Sequence, residues 1–290
     1  MQPWMVSLHG GHSGDYCDHA QGTLREIIET AIRMGFHTYG LAEHMPRVED
    51  RFIYSEERSM GWDVEHLHRM FDAYAVETRA LAEEYADRIV ILRGFEAEVI
   101  PQDRYPDLIR QTLDRYQFDF FVGSAHYVRE IIIDGPDEQF AHAIEVYDGL
   151  ENMAVAYYET VADLIEAVSP PVIGHFDLVK KRARPHGPVD GPRAREAAYH
   201  ALTLAKQHDC ILDLNLAGWR KGLNEPYPAP WIVEMARELG IDFCFGDDSH
   251  GPHQVGENIE KGRLYLLEHG VKHIRALKPG GQSDVISLEA

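Results

Sequence analysis

The chain has 290 residues, of which 44% are hydrophobic and 10% aromatic, so it can bury a large core and is not a disordered tail. It carries 28 Lys and Arg against 48 Asp and Glu, and the resulting net charge of −20 disfavours binding to nucleic acid or to an anionic membrane. Three widely separated cysteines, Cys17, Cys210 and Cys244, exclude a disulfide framework.

The remaining composition predicts a cytoplasmic protein without nucleic-acid or membrane partners. The first residues, MQPWMVSLHGG, lack the basic start and long apolar run of a signal peptide. No window reaches the roughly 18 apolar residues that a membrane span requires. The 17 histidines are unusual, because imidazole is the side chain most used to bind transition metals and to move protons at neutral pH.

Short apolar runs alternate with amphipathic stretches along the chain, a pattern typical of repeated β-α units and a parallel sheet. The predicted strands are residues 4–8, 38–42, 89–95, 118–124, 172–174, 211–216 and 241–246. The predicted helices are residues 23–35, 64–85, 106–116, 138–150, 157–168, 192–207 and 231–239. Thr23 and Glu26 have the spacing of a capping box at the first helix. No flexible linker interrupts the series, so we expect one domain over residues 1–290.

Each predicted strand is followed by a side chain that could bind a metal or a substrate. These residues are His9 and His12, Glu43 and His44, Glu96, His126, His175 and Asp177, Asn215, and finally Asp247, Asp248 and His250. In a β/α barrel the carboxyl ends of the strands converge on one face, which would gather these distant residues into one cluster. Neutral imidazoles with a few carboxylates suit Zn, Mn or Fe, so the sequence predicts a polynuclear metal site.

Other candidates are weaker. Cys17 lies beside possible ligands, but a single thiol among so many imidazoles is better interpreted as a small packed residue. His186 and His253 follow predicted strands and could contact a substrate. The acidic and aromatic loop 47–62 fits a lid over the site. The sequence contains neither a G-x-S-x-G nucleophile elbow nor a phosphate-binding G-x-x-x-x-G-K-[ST] loop.

Seven segments spread over residues 7–250 resemble the PHP (polymerase and histidinol phosphatase) family of metal-dependent phosphoesterases. They are HGGHSGDYCDHA, LAEHMP, GFEAE, VGSAHY, VIGHFDLVKK, LDLNLAGWRKG and FGDDSH, and they occur in family order. The SAHY, GHFDL and N-x-A-G-x-R pieces resemble the monofunctional histidinol-phosphate phosphatase branch. The resemblance implies an α/β fold, a distorted seven-stranded (β/α)7 TIM-like barrel of the PHP type.

The resemblance also implies a trinuclear centre of divalent metal ions (Zn, Mn or Fe). By motif, the first ion takes His9, His12, Glu96 and Asp248, the second takes Glu96, His126 and His175, and the third takes His19, His44 and His250. The usual family motif is H-x-H, whereas here two glycines separate His9 from His12, so Gly10 and Gly11 must form a bulge or turn. Glu43 stands where the family commonly has Asp, and we expect it to support the ligands.

The implied reaction is hydrolysis of L-histidinol phosphate to L-histidinol and phosphate, a step of histidine biosynthesis, by a hydroxide that bridges two metals. The implied catalytic residues are Glu96, Asp248 and His250. Tyr127, Lys181 and Arg220 would bind the phosphate. One alternative is a PHP phosphoesterase that acts on another phosphate mono- or diester, such as a nucleotide or sugar phosphate. Further alternatives are an amidohydrolase-like barrel and a non-enzymatic metal-binding module, and the oligomeric state stays open.

Overall fold

The computed structural model describes residues 2–289, so the two end positions of the predicted domain 1–290 lie outside it. Its strands are β1 (Val6–Ser7), β2 (Thr38–His44), β3 (Val90–Ala97), β4 (Val122–Gly123), β5 (Tyr127–Val128), β6 (Ile131–Ile132), β7 (Val172–Ile173), β8 (Ile211–Asn215), β9 (Phe243–Gly246), β10 (His273–Leu277) and β11 (Ser283–Ser287). Its α-helices are α1 (Leu24–Met34), α2 (Ser55–Ser59), α3 (Val64–Glu84), α4 (Tyr105–Tyr116), α5 (Asp137–Val146), α6 (Leu150–Val168), α7 (Pro192–Gln207), α8 (Ala217–Arg220), α9 (Pro230–Leu239) and α10 (Ile259–Glu268).

Seven of the strands form one parallel sheet that curves into a barrel. Their order is β1-β2-β3-β4-β7-β8-β9, and each neighbouring pair is parallel. The last strand returns to the first, because Leu8 N donates to Phe245 O at 2.8 Å and His9 forms a parallel bridge with Gly246. The predicted distorted seven-stranded (β/α)7 barrel is therefore confirmed.

Side-chain alternation along the strands explains how the barrel interior changes character. Every strand of the sheet, or a residue next to it, contributes to a buried apolar cluster inside the barrel. On β3, Leu92 belongs to this cluster, whereas Glu96 lies on the same face of the strand but nearer its carboxyl end. On β8 the same change occurs between Ile211 and Asp213. Phe120 fills the interior where a Cβ at Gly94 would come within 2.5 Å of its ring. One end of the barrel is thus apolar, and the other presents polar side chains.

The helices cover the outside of the barrel, where the larger hydrophobic cluster lies. The capping box at α1 is confirmed, since Glu26 N donates to Thr23 Oγ1 at 3.2 Å and Thr23 N donates to Glu26 Oε2 at 2.9 Å. Among residues 2–289, no helix combines the length and the apolar character that a membrane crossing demands.

Two antiparallel hairpins were not predicted. The pair β5–β6 is closed by Arg129 and Glu130 at positive φ (47° and 71°), a turn without the glycine that usually marks one. The pair β10–β11 follows the barrel near the end of the chain. The predicted strand 118–124 is also too long, because only Val122–Gly123 pairs in the sheet.

Candidate metal centre

Glu96, at the end of β3, lies at the middle of the polar end of the barrel. Four imidazoles surround its carboxylate: His44 Nδ1 at 3.0 Å, His175 Nε2 at 3.1 Å, His9 Nε2 at 3.4 Å and His126 Nε2 at 3.6 Å. Burial alone would raise the pKa of Glu96, but the neighbouring histidines, His9 and His126 foremost, hold it well below the usual range. The carboxylate therefore stays ionised at the point where side chains from five sheet strands, or from the residues after them, meet.

The glycine pair brings His9 and His12 to the same centre. Gly11 adopts a φ of 77°, and a Cβ at Gly10 would lie 2.1 Å from Asp247 Oδ1, so both positions require glycine. The two imidazole rings are 6.2 Å apart, and His12 Nε2 lies 3.9 Å from Asp248 Oδ1. The expected turn is present, and it directs both histidines to the centre.

Three carboxylates, the buried Asp213 and Glu43 and the partly buried Glu98, contact histidines of this centre on the side away from Glu96. Asp213 Oδ2 lies 2.7 Å from His9 Nδ1, Glu43 Oε1 lies 3.1 Å from His12 Nδ1, and Glu98 Oε2 lies 2.6 Å from His126 Nδ1. In each pair the contact at Nδ1 leaves Nε2 as the ring nitrogen that faces the centre, which is the usual arrangement around metal-binding histidines.

Sequence reasoning named Glu43 but missed Asp213 and Glu98. The sequence contained a signal for both residues, because alternate residues of a strand lie on the same face as each other. Asp213 lies two residues before Asn215, and Glu98 lies two residues after Glu96.

A second group of donors lies beside the first. His19, His44 and His250 come together with Cys17, and one donor atom from each lies within 4.8 Å of the others. The rings of His12 and His250 stack with centroids 4.3 Å apart, which connects the two groups. His19 is the most accessible of these histidines, with half of its side chain exposed.

The donor set fits divalent metal ions. Within residues 2–289, the Nε2 atoms of His9, His12 and His44 and the Nδ1 atom of His175 are buried without a hydrogen-bond partner. A buried polar atom without a partner costs free energy unless it binds something else. The same residues recur in the groups that could hold a metal, which are His9, Glu96 and His175, then His9, His12 and Asp248, then His12, His44 and Glu96.

Two residues of the centre have an unusual backbone. His175 and Asp248 have φ angles of 21° and 47°, although neither is glycine. Such conformations cost about 1–3 kcal/mol each and persist where the surrounding structure imposes them, often at functional sites. Asp248 N donates to His9 O at 2.9 Å, which fixes the strained residue against the first strand.

The three residues predicted to bind phosphate lie near the centre and already have partners. Arg220 donates to the Asp248 carbonyl at 2.7 Å and forms an ion pair with Glu257 at 3.2 Å. Lys181 is paired with Asp134. Tyr127 is buried, with its hydroxyl 3.5 Å from the Phe52 carbonyl.

Lys221, which sequence reasoning did not select, reaches the centre directly. Its Nζ lies 3.4 Å from Asp248 Oδ2, and 29% of its side chain is exposed. Asp248 and Asp134 raise its pKa against the effect of burial, so it stays charged. It follows Arg220 in the loop after β8, and the basic pair in that loop was the available signal.

The predicted lid is an ordered segment rather than an open loop. It contains α2, and its Glu57 is buried in an ion pair with Arg47. The Phe52 ring packs edge-on against Tyr127 with centroids 5.8 Å apart. Because Glu57 is paired with Arg47, it is not a free carboxylate for a substrate. His186 and His253, which were expected to be able to contact a substrate, are both exposed.

Comparison with known proteins places this centre in a family. A family model for the PHP domain matches residues 9–217. A Schizosaccharomyces pombe protein named probable histidinol-phosphatase is 34% identical over 279 residues, which cover 95% of this chain and 90% of that protein.

Two solved structures share the fold. A Listeria monocytogenes protein named as a candidate histidinol phosphatase superposes with a TM-score of 0.78 at 28% identity, covering 88% of this chain and 99% of that one. The histidinol phosphate phosphatase of Lactococcus lactis, solved with zinc, L-histidinol and phosphate, superposes with a TM-score of 0.72 at 21% identity, covering 96% and 98%. The matched segment holds Glu96 and most of the histidines around it, and the chain belongs to the PHP domain family.

Proposed function

We propose that this protein is a metal-dependent phosphoric monoester hydrolase that converts L-histidinol phosphate to L-histidinol and phosphate. The observation that carries the proposal is the Glu96 carboxylate among four imidazoles, at the polar end of the barrel. The 34% identity to a probable histidinol-phosphatase over 95% of the chain supports the substrate and a place in histidine biosynthesis.

The proposed centre takes three divalent ions, with Zn, Mn and Fe as candidates. We assign the first to His9, His12, Glu96 and Asp248, the second to Glu96, His126 and His175, and the third to His19, His44 and His250. When bound, such ions activate water at neutral pH and offset the charge of a phosphate ester. Support for the assignment comes from the unpartnered buried ring nitrogens and the ionised carboxylate.

The residues of the chain would orient the substrate around these ions. Lys221 supplies a positive charge 3.4 Å from Asp248 Oδ2, where the phosphate would enter. We propose that Lys221, Lys181 and Arg220 hold the phosphate oxygens, with Tyr127 beside them, since charged donors form the stronger hydrogen bonds to phosphate. Arg220 also fixes the Asp248 carbonyl, so it would position this carboxylate for catalysis.

His250 suits the role of a metal ligand better than that of a proton donor. Burial and the nearby His12 hold its pKa well below the usual range, so the ring is neutral at physiological pH. Its Nδ1 lies 3.0 Å from the Asp248 carbonyl oxygen, which leaves Nε2 for the centre.

The test is phosphate release by the metal-analysed protein from L-histidinol phosphate, compared with sugar, nucleotide and aryl phosphates and a phosphodiester. We expect kcat/KM above about 10⁴ M⁻¹s⁻¹ for histidinol phosphate and a strong preference over the others.

His126→Ala should abolish turnover and lower metal content while the fold survives. His142→Ala, at an exposed position of α5, should leave both unchanged. Equal, slow hydrolysis of every ester would refute the proposed substrate.

We also propose that residues 1–290 act as one domain in the cytoplasm, with small-molecule substrates as the main partners. One barrel sheet uses strands from Val6 to Gly246, and β10 packs against β9. The free thiols of Cys17, Cys210 and Cys244 suit a reducing compartment. The net charge of −20 argues against nucleic acid as a partner.

A further inference from the structure

Cys17 differs from the other two cysteines in its surroundings. Cys210 and Cys244 each belong to a hydrophobic cluster of the core. Cys17 is equally buried, with 5% of its surface exposed, but it belongs to neither cluster among the described residues. Its Sγ faces the imidazole of His19 instead, at 3.4 Å from Nδ1 and 3.6 Å from Nε2. The interpretation of Cys17 as a small packed residue accounts for its burial, but not for the contact between its thiol and the His19 ring.

The backbone around Cys17 is arranged to present two side chains together. Cys17 N donates to Ser13 O at 2.9 Å, and Ala20 N donates to Cys17 O at 3.3 Å, so the segment forms consecutive turns. Gly14 N donates to Gly22 O at 2.8 Å and closes the loop at its base. The turns place the Cys17 thiol and the His19 ring on one side of the loop.

Two further imidazoles complete the surroundings of the thiol. His44 and His250 each have a donor atom within 4.8 Å of those of Cys17 and His19. The Nδ1 atom of His44 lies 3.0 Å from Glu96, and its Nε2 is buried without a hydrogen-bond partner among residues 2–289. A buried ring nitrogen without a partner, beside a thiol and two more imidazoles, is a set of donors that suits a divalent cation.

The spacing of the donors fits tetrahedral zinc. With Zn–S near 2.3 Å and Zn–N near 2.05 Å, a tetrahedral angle separates sulfur from nitrogen by about 3.6 Å. The measured distances from Cys17 Sγ to the His19 ring nitrogens are 3.4 and 3.6 Å. Because His19 Nδ1 also lies 2.8 Å from Asp18 Oδ1, Nε2 is the ring nitrogen that can bind an ion together with Cys17, after a rotation of the ring.

We propose that Cys17 is a fourth ligand of the third metal site, where its thiolate joins the imidazoles of His19, His44 and His250. This inference rests on the metal centre of the proposed function and adds a ligand to it. The thiol proton passes to solvent as the sulfur–metal bond forms. A thiolate favours zinc over manganese, so the third site should select zinc. The first and second sites, which consist of histidines and carboxylates, can accept other ions as well.

X-ray absorption at the zinc edge of the full-length, zinc-loaded protein tests the proposal. We expect one sulfur neighbour at about 2.3 Å from one of the bound ions. Cobalt-substituted protein should show a sulfur-to-cobalt charge-transfer band in the near ultraviolet. Cys17→Ser should remove both signals and lose one zinc ion per chain on dialysis. Cys210→Ser, which changes a thiol of the core, should keep them.

The outcomes separate this inference from the proposed function. Bound metal and phosphatase activity without any sulfur signal would overturn the role of Cys17 and leave the proposed function intact. A sulfur signal in a protein that hydrolyses no phosphate ester would support the site of one thiolate and three imidazoles and refute the activity. Because the wild-type spectra decide the point alone, a Cys17→Ser variant that fails to fold leaves the test valid.

Discussion

Asp213 offers the sharpest test of how the centre is organised. Its side chain is fully buried, and its Oδ2 lies 2.7 Å from His9 Nδ1 and 3.0 Å from Asn215 Nδ2. Asp213→Asn keeps the volume but replaces the carboxylate by an amide. The variant thus removes the charge that holds His9 with Nε2 toward Glu96, while every proposed ligand remains.

The expected effect is a loss of metal affinity rather than a loss of fold. Loss of a hydrogen-bonded partner behind a metal-binding histidine typically lowers metal affinity about 10- to 100-fold. That range corresponds to about 1.4–2.7 kcal/mol at the affected site. Because Asp213 Oδ1 has no hydrogen-bond partner within residues 2–289, only the contacts of Oδ2 are lost. We therefore expect an effect limited to the first metal site, to which His9 is assigned.

The assay is competition with a chelator, followed by metal analysis and kcat/KM for histidinol phosphate, with circular dichroism as the check on folding. Asp209→Asn is the matched control, because Asp209 has 84% of its side chain exposed and pairs with Arg275 at the surface. It should retain wild-type affinity. A folded Asp213→Asn protein with unchanged metal affinity would show that Asp213 does not position His9.

Three more predictions follow from single contacts. Lys221→Met removes the cation beside Asp248, and the loss of a hydrogen bond to a charged group should lower kcat/KM about 10- to 150-fold, mainly through KM, in steady-state assays. Metal affinity should rise with pH, by about 50-fold between pH 7 and 9, because the Glu98 and Glu96 charges outweigh burial and raise the pKa of His126 to about 9 in metal-free protein. Calorimetric titrations with the metal at the two pH values measure the affinities and the proton release. Tyr39→Phe removes the hydroxyl 2.8 Å from Asp247 and should lower the free energy of unfolding in urea by about 1.5–3 kcal/mol, against less than 0.5 kcal/mol for exposed Tyr199→Phe.

The sequence predicted the barrel because each sheet strand is an apolar run next to an amphipathic helix. The capping box of Thr23 and Glu26 was also predicted correctly, because it depends only on two residues three positions apart in the sequence. The hairpin β5–β6 escaped prediction because its turn uses Arg129 and Glu130 at positive φ, a conformation that tertiary contacts impose. The strand at 118–124 was overestimated because Phe120 fills the barrel interior outside the paired segment.

The site was harder to predict than the fold, because a sequence does not show which side chains pair. The positions after the strands led to Glu96 and its histidines, and their role as ligands stays a prediction. Asp213 and Glu98 were missed because their function depends on contacts to residues far away in the chain, across 204 and 28 positions. Arg220 was predicted to bind phosphate, but its guanidinium also donates to the Asp248 carbonyl, a contact between separate loops.

The carboxylates that contact the proposed ligand histidines also determine which of these histidines are protonated in the metal-free protein. His9, His12 and His126 each have a carboxylate partner at Nδ1, and the surrounding carboxylates, with Glu96 foremost at His9, outweigh burial and raise the pKa of all three. At His44 and His250, burial and the charge of His12 outweigh the nearby Glu96 and Asp248 carboxylates and lower the pKa values, that of His44 to about 4. Metal binding must therefore displace protons from the first three rings and not from the other two. Ions at the sites that contain His9, His12 or His126 should compete with protons, whereas no proton has to leave His44 or His250 when an ion binds beside the Cys17 thiol.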